Sequence, residues 1–179
     1  MLAAGVTDET WRPPELGFRH CPLAGRHTAR QSNCMTRQVQ ITFDCADPAA
    51  LAAFWAEALG YQIEPPPQGF DSWEAALTAF KVPKDQWNSR SALQPIEGDG
   101  PRIFFQQVPE GKTAKNRLHL DVRVAVGQSG DERMATLQAE ATRLEALGAT
   151  VAYRVEPAPP MEAGFISMLD PEGNELCLD

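Results

Sequence analysis

The sequence predicts an α+β fold in which one strand–helix–strands block occurs twice, with a pocket between the copies. Three observations predict it. An amphipathic helical stretch ends in Ala58-Leu59-Gly60 and runs into extended Tyr61-Gln62-Ile63, and a second ends in Ala146-Leu147-Gly148 before Ala149-Thr150-Val151. Each stretch follows a segment in which apolar and polar residues alternate, 38–44 and 118–126, the period of a strand with one buried face. Each is also followed by further strand-like segments closed by a Gly-containing turn, so a whole block recurs rather than a single motif.

Residues 1–34 come first and differ from the rest. Trp11-Arg12-Pro13-Pro14 and scattered Gly and Arg show neither a period of 2 nor one of 3.6, so a disordered leading segment is expected there. Met35 stands directly before the first strand, so the leading segment reads as an upstream extension from a misplaced start codon or as a tail that drapes on the domain. Its histidines and cysteines (His20, His27, Cys21, Cys34) are read as bystanders.

The first block spans 36–109. In 38–44, Val39, Ile41 and Phe43 should face a helix while Gln38, Gln40 and Thr42 face away. Asp47-Pro48 supplies an N-cap and a first-turn proline. Leu51, Phe54, Trp55, Ala58 and Leu59 then fall on one helical stripe, and Gly60 ends it. Residues 65–88 have no counterpart in the second block. They hold Pro65-Pro66-Pro67, a short helix over 72–80 and Pro83-Lys84-Asp85-Gln86-Trp87, and read as an insertion over the rim of the sheet. Strands at 91–96 and 102–108, around Glu97-Gly98-Asp99-Gly100, complete the block.

After a linker over 109–115, the second block spans 116–179. Leu118, Leu120, Val122 and Val124 alternate with His119, Asp121 and Arg123. A helix over 131–147 carries Met134, Leu137, Ala141 and Leu144 on one face, and strands follow at 150–155, 164–169 and 175–178. Asp170-Pro171-Glu172-Gly173-Asn174 sets the last hairpin, with proline fixing φ and glycine allowing φ > 0.

Composition narrows the partners. A formal charge of −8, from 24 acidic against 16 basic residues, opposes a phosphate backbone, and Lys112, Lys115 and Arg117 form only a small basic group. Nucleic acid is not an expected partner. No apolar run approaches the roughly 20 residues that cross a bilayer, so no membrane partner is expected either. The four cysteines show neither CxxC spacing nor a dense secreted pattern, which fits reduced thiols in a cytoplasm.

Three stretches carry a family resemblance: Asp170-Pro171-Glu172-Gly173-Asn174-Glu175-Leu176-Cys177-Leu178, His119 within Asn116-Arg117-Leu118-His119-Leu120-Asp121, and the 47–60 helix. Over residues 36–179 the chain resembles the glyoxalase-like branch of the vicinal oxygen chelate superfamily, which includes glyoxalase I, extradiol dioxygenases and bleomycin resistance proteins. The resemblance implies two tandem βαβββ modules whose curved mixed sheets form a cleft. In enzyme members it also implies a divalent metal held by the first and last strand of each module. Transferred by position, the entry ligands fall on Gln40 and His119, and the exit ligands on Phe104 and Cys177, each four residues after a turn glycine. Glu175, one pleat pair before Cys177, and Gln106 are displaced stand-ins.

One imidazole, one amide, one thiol and one phenyl ring make a poor ligand set, so no resident cofactor is expected. Were a divalent metal held, His119 would share it with Gln40 and with Cys177 or Glu175. His119 is the candidate catalytic residue, as a base or as the sole strong donor, or else a paired cleft-wall histidine. Asp121 either orients that imidazole or takes its proton, or else pairs with Arg123 or Arg117. Cys177 reads as a small buried thiol, because nothing nearby lowers its pKa. Lys115-Asn116-Arg117 either clamps an anionic group or forms a solvated linker. Trp73 and Trp87, with Phe80, Phe104 and Phe105, are candidates to roof an apolar pocket.

Two functions follow. One is a glyoxalase-like protein acting on or binding a small organic molecule in the inter-module cleft, with lyase- or dioxygenase-like chemistry implied by the resemblance alone. The other is a non-catalytic sequestering protein of the bleomycin-resistance type. Open sheet edges and the resemblance lead to an expected homodimer.

Overall fold

A computed structural model describes residues 38–179 of the chain, and in it the first alternation becomes strand β1 (Gln40–Cys45). Asp47 then caps α1 (Pro48–Leu59), its carboxylate accepting the backbone N–H of Ala50 at 3.1 Å. Gly60 ends that helix at φ 65°, a left-handed conformation that glycine adopts without a Cβ penalty. Strand β2 (Tyr61–Ile63), helix α2 (Trp73–Ala79) and strands β3 (Arg90–Pro95) and β4 (Arg102–Gln107) follow. They form a four-stranded sheet ordered β1-β4-β3-β2, with β1 parallel to β4 and the other pairs antiparallel.

The second module repeats that plan. Strand β5 (Leu120–Val122), helix α3 (Gly130–Glu145) and strands β6 (Thr150–Val155), β7 (Phe165–Leu169) and β8 (Glu175–Leu178) give a sheet ordered β5-β8-β7-β6, again with the first and last strands parallel. The predicted α+β class and the tandem βαβββ modules are borne out. The expected leading segment over 1–34 lies outside the described residues.

Each sheet buries its apolar face on its own helix. Leu51, Phe54, Trp55 and Ala58 of α1 meet Phe43, Ile103, Phe105 and Leu93, with Phe43 5.1 Å from Trp55 and 5.4 Å from Phe105, centroid to centroid. Met134, Leu137, Ala141 and Leu144 of α3 meet Val122, Ile166, Met168, Leu176 and Leu178. The helical stripes read from the sequence are therefore the core. Arg133 is the residue that pattern omits: it is buried on α3, donates to the carbonyls of Gly164 (3.1 Å) and Ala125 (3.4 Å), and pairs with Asp179.

Two strand expectations change. The segment 118–126 narrows to Leu120–Val122, because β8 offers only four residues to pair with; Leu118 and Val126 beyond the ladder are exposed. Val39 likewise lies outside β1 and is exposed instead of facing the helix. The insertion folds as read: Ser72 Oγ accepts the N–H of Ala75 (3.1 Å) to start α2, and Pro83 precedes a 3-10 turn, Lys84–Gln86.

The turn over 170–174 joins the modules. Asp170 is 3% exposed and accepts hydrogen bonds from the N–H groups of Glu172 and Asn174 and from Asn174 Nδ2, all at 2.9 Å, with Gly173 at φ 85° closing the loop. Its second oxygen also receives the indole N–H of Trp55 at 3.1 Å, from the other module's helix. Next to it, the Glu172 carboxylate accepts the backbone N–H groups of Ala46 (2.7 Å) and Asp47 (2.8 Å) at the start of α1. The second module thus supplies an anion where the α1 N-terminus favours one. No helix among the described residues is long and apolar enough to cross a membrane.

Candidate functional site

A groove of about 270 Å³ separates β1 from the chain entering β5. Residues 41–44 form one wall; residues 116–120, with Asn174 and Glu175, form the other. Consecutive rather than alternate residues line both walls, because β1 and β5 are the edge strands of their sheets and each borders the groove with both of its faces. Ile41, Phe43, Leu118 and Leu120 supply apolar surface, and Thr42, Asp44, Asn116, Arg117 and His119 supply the polar groups.

His119 immediately precedes β5, with its Nε2 3.4 Å from Asp121 Oδ1. The two side chains are 44% and 55% exposed, so both are open to a ligand. Asp121 lies opposite Cys177 in the parallel β5–β8 register, and the ligand atoms of His119, Asp121 and Cys177 all lie within 4.8 Å of one another. Burial and then the Asp121 charge push the Cys177 thiol upward, outweighing its hydrogen bond with Ser167. That thiol stays protonated at neutral pH and is no nucleophile. Cys45, buried among Glu172, Asp44, Asp47 and Asp170, is pushed up to about 12.

Glu175 lines the same groove but is already engaged. It accepts the N–H of Asn116 at 3.0 Å and Lys112 Nζ at 3.2 Å. Burial opposes its charge, yet the Asn116 amide and the Lys112 ammonium hold its pKa below the ordinary glutamate value. Asn116 also donates from Nδ2 to Asn174 Oδ1 at 3.3 Å, so its amide serves the linker while Arg117 faces the groove.

The expectation that Gln40 and His119 share one hollow is corrected. In the β1–β4 register Gln40 sits opposite Arg102, whose Nη1 donates to Gln40 Oε1 at 2.6 Å, and Gln40 is outside the groove lining. Arg102 also pairs with Glu64 and lies 5.2 Å over the Phe104 ring. Gln106 lies outside the lining too, donating to Asp44 Oδ1 at 2.7 Å. Nor do the tryptophans roof this groove. Trp73 donates to the carbonyl of Glu64 (2.7 Å), just ahead of the insertion, and Trp87 to that of Val82 (3.0 Å) within it.

The positions the resemblance assigns to a metal do not fit one. Phe104 has no donor atom, and the Gln40 oxygen is held by a guanidinium. No four-ligand site spanning the modules forms from Gln40, Phe104, His119 and Cys177.

Sequence reasoning missed several neighbours. Thr42 and Asp44 were legible as the polar side of β1. Tyr153 and Phe165 were not: a bulge between Val151 and Tyr153 brings Tyr153 opposite Ser167, which in turn faces Cys177, so an aromatic pair 5.9 Å apart shares the sheet face of the thiol. Nothing in the local sequence marks that bulge.

Residues 40–178 match the family model of the glyoxalase-like domain. The chain belongs to that family. No curated protein sequence matches it. Solved structures similar to this glyoxalase-like domain include a genomically encoded fosfomycin resistance protein from Listeria monocytogenes, at 12% identity, covering 80% of this chain and 92% of that one, TM-score 0.50. Another is a glyoxalase/bleomycin resistance protein/dioxygenase family enzyme from Burkholderia phytofirmans, at 15% identity, 78% and 94% coverage and TM-score 0.48. A third is a possible glyoxalase from Bacillus cereus, at 15% identity, 79% and 96% coverage and TM-score 0.47. At such identities likeness speaks for the fold alone.

Proposed function

We propose that this glyoxalase-like domain binds a small organic molecule in the groove beside His119, with the inter-module metal site of its relatives degenerate. The observation that carries the reading is the convergence of β1 and the entry to β5 on one hollow, which sets an imidazole, a guanidinium and a carboxylate around apolar strand residues. Ligand sites commonly have that make-up, apolar walls with a few placed polar groups, and volumes of about 300–1,000 Å³. A groove of about 270 Å³ favours a compact molecule.

The 3.4 Å contact between His119 and Asp121 favours a second reading, in which the domain converts its ligand. Asp121 then orients the imidazole and His119 takes a proton from the bound molecule. Without that step the domain sequesters its ligand, as expected of a bleomycin-resistance type. No metal shared between the modules is required for either. The proposal includes a homodimer, supported by the exposed edge strand β6 with Val151 and Tyr153 uncovered. It also includes a reducing cytoplasm, supported by the free thiols of Cys45 and Cys177.

A thermal-shift screen of small organic acids, phenols and carbonyl compounds on metal-free protein tests the reading. A hit is expected to lose at least about tenfold in affinity, or about 1.4 kcal/mol, in both His119→Ala and Arg117→Ala. Mass spectrometry of the hit then separates conversion from sequestration. Unchanged affinity in both variants removes the groove as the site.

A further inference from the structure

Gln40 makes two side-chain hydrogen bonds whose directions are fixed by chemistry. Arg102 Nη1 donates to Gln40 Oε1 at 2.6 Å, and Gln40 Nε2 donates to Thr42 Oγ1 at 3.3 Å. A guanidinium has donors only, so the oxygen of the Gln40 amide must face Arg102 and its NH2 group must face Thr42. An amide nitrogen accepts nothing, so the threonine oxygen receives that bond and keeps its own proton for another partner. Among the described residues no acceptor takes that proton, and Thr42 lines the groove while Gln40 does not. From this chain of donors we infer that Thr42 is the hydrogen-bond donor on the β1 wall that selects ligands with a carbonyl-type oxygen, with Arg102 and Gln40 as its positioning residues; the inference rests on the groove being the binding site.

An ion pair anchors the chain. Arg102 gives Nε to Glu64 Oε1 at 3.1 Å and pairs through Nη2 with Glu64 Oε2, which leaves Nη1 for Gln40. Its guanidinium also lies 5.2 Å from the centre of the Phe104 ring, within the range of a cation–π contact. The parallel β1–β4 register sets Arg102 beside Gln40. Gln40 and Thr42 point to the same face because they are two residues apart on one strand.

Each bond in such a chain polarises the next, so a hydroxyl that accepts from Gln40 becomes a better donor itself. The opposite wall has the same preference, since Arg117 lines it and likewise carries donors only. Oxygens rich in lone pairs, as in a ketone, an amide or a carboxylate, can accept from both. A group that only donates meets neither the Thr42 proton nor the guanidinium.

Two neutral probes, acetophenone, which only accepts, and indole, which only donates, test the inference by ligand-observed NMR titration of the full-length chain. Thr42→Val removes the hydroxyl at nearly constant shape and should raise the acetophenone Kd about threefold to tenfold, the range for one hydrogen bond. Thr42→Ser should restore it. Gln40→Glu is the decisive variant: the new carboxylate still accepts from Arg102 but also takes the Thr42 proton, so acetophenone should weaken as in Thr42→Val while indole does not. Gln40→Ala frees the hydroxyl to turn and should cost less than Gln40→Glu, the reverse of what loss of a structural contact gives. Circular dichroism confirms folding, and Gln40→Glu, at an exposed position, decides alone if Thr42→Val is not folded. The inference is overturned if the parent chain does not bind acetophenone saturably, if Thr42→Val leaves its Kd unchanged, or if Gln40→Ala weakens it at least as much as Gln40→Glu. Where Thr42→Val has no effect but His119→Ala weakens acetophenone, only the role of Thr42 falls; where neither substitution matters, the groove falls with it.

Discussion

Removing the Asp170 carboxylate should cost far more than the loss of an ordinary turn residue. Asp170→Ala deletes the acceptor for three donors inside the turn and for the indole N–H of Trp55, a fully buried side chain that no water can reach. Hydrogen bonds to a charged group contribute about 1.5–3 kcal/mol each, and a buried donor left without a partner costs about 1–3 kcal/mol. These terms overlap, so a total of about 3–5 kcal/mol is expected, against a usual domain stability of about 5–15 kcal/mol. In a domain of this size the midpoint should drop by roughly 10 °C. Urea unfolding followed by circular dichroism measures the loss, and a cycle with Trp55→Phe isolates the inter-module bond. The Asp170→Ala penalty should shrink by about 1 kcal/mol in the Trp55→Phe background. A penalty below about 1 kcal/mol, or two strictly additive substitutions, would refute the reasoning.

Other consequences are smaller. Ser72→Ala removes the cap of α2 and should destabilise the insertion by about 1 kcal/mol, read as faster amide exchange over Trp73–Ala79 with little change elsewhere; uniform exchange across the domain would contradict it. Acid should weaken the fold through two carboxylates. The Asn88 side-chain amide and the Ala50 N–H hold Asp47 below its ordinary 3.8, and Glu175 is held below its ordinary 4.5. Each binds its proton more readily when unfolded, so their stabilisation is complete above those values and drains as pH falls through the lower folded ones. Denaturant midpoints should therefore begin to decline near pH 4.5, and Glu175→Gln should flatten the first part of that decline. An unchanged profile would show that the Lys112 and Asn116 contacts do not form in solution.

Much of the fold was legible because its signals are local. Leu51, Phe54, Trp55 and Ala58, and later Met134, Leu137, Ala141 and Leu144, declare their buried faces by spacing alone, and Asp47, Ser72 and Gly60 mark helix ends by side-chain chemistry. Long-range pairing left no such trace. Nothing near Gln40 says that Arg102 will stand opposite it and take its amide oxygen, and nothing near Glu172 says that its carboxylate will cap a helix 125 residues earlier in the chain. The candidate site was half visible for the same reason. His119, Asp121 and Cys177 share a face that alternation predicts. The other wall depended on how two sheets meet, and Thr42 and Asp44 came to the groove in place of Gln40.

The central claim is that a ligand enters the groove between β1 and the approach to β5. A crystal structure of the protein with a thermal-shift hit tests it most directly. The account predicts the ligand between Thr42 or Asp44 and His119, with a polar atom within hydrogen-bonding distance of the imidazole. A ligand seated instead in the neighbouring hollow lined by Glu110 and Lys112, or against Trp73 on the insertion, would contradict it.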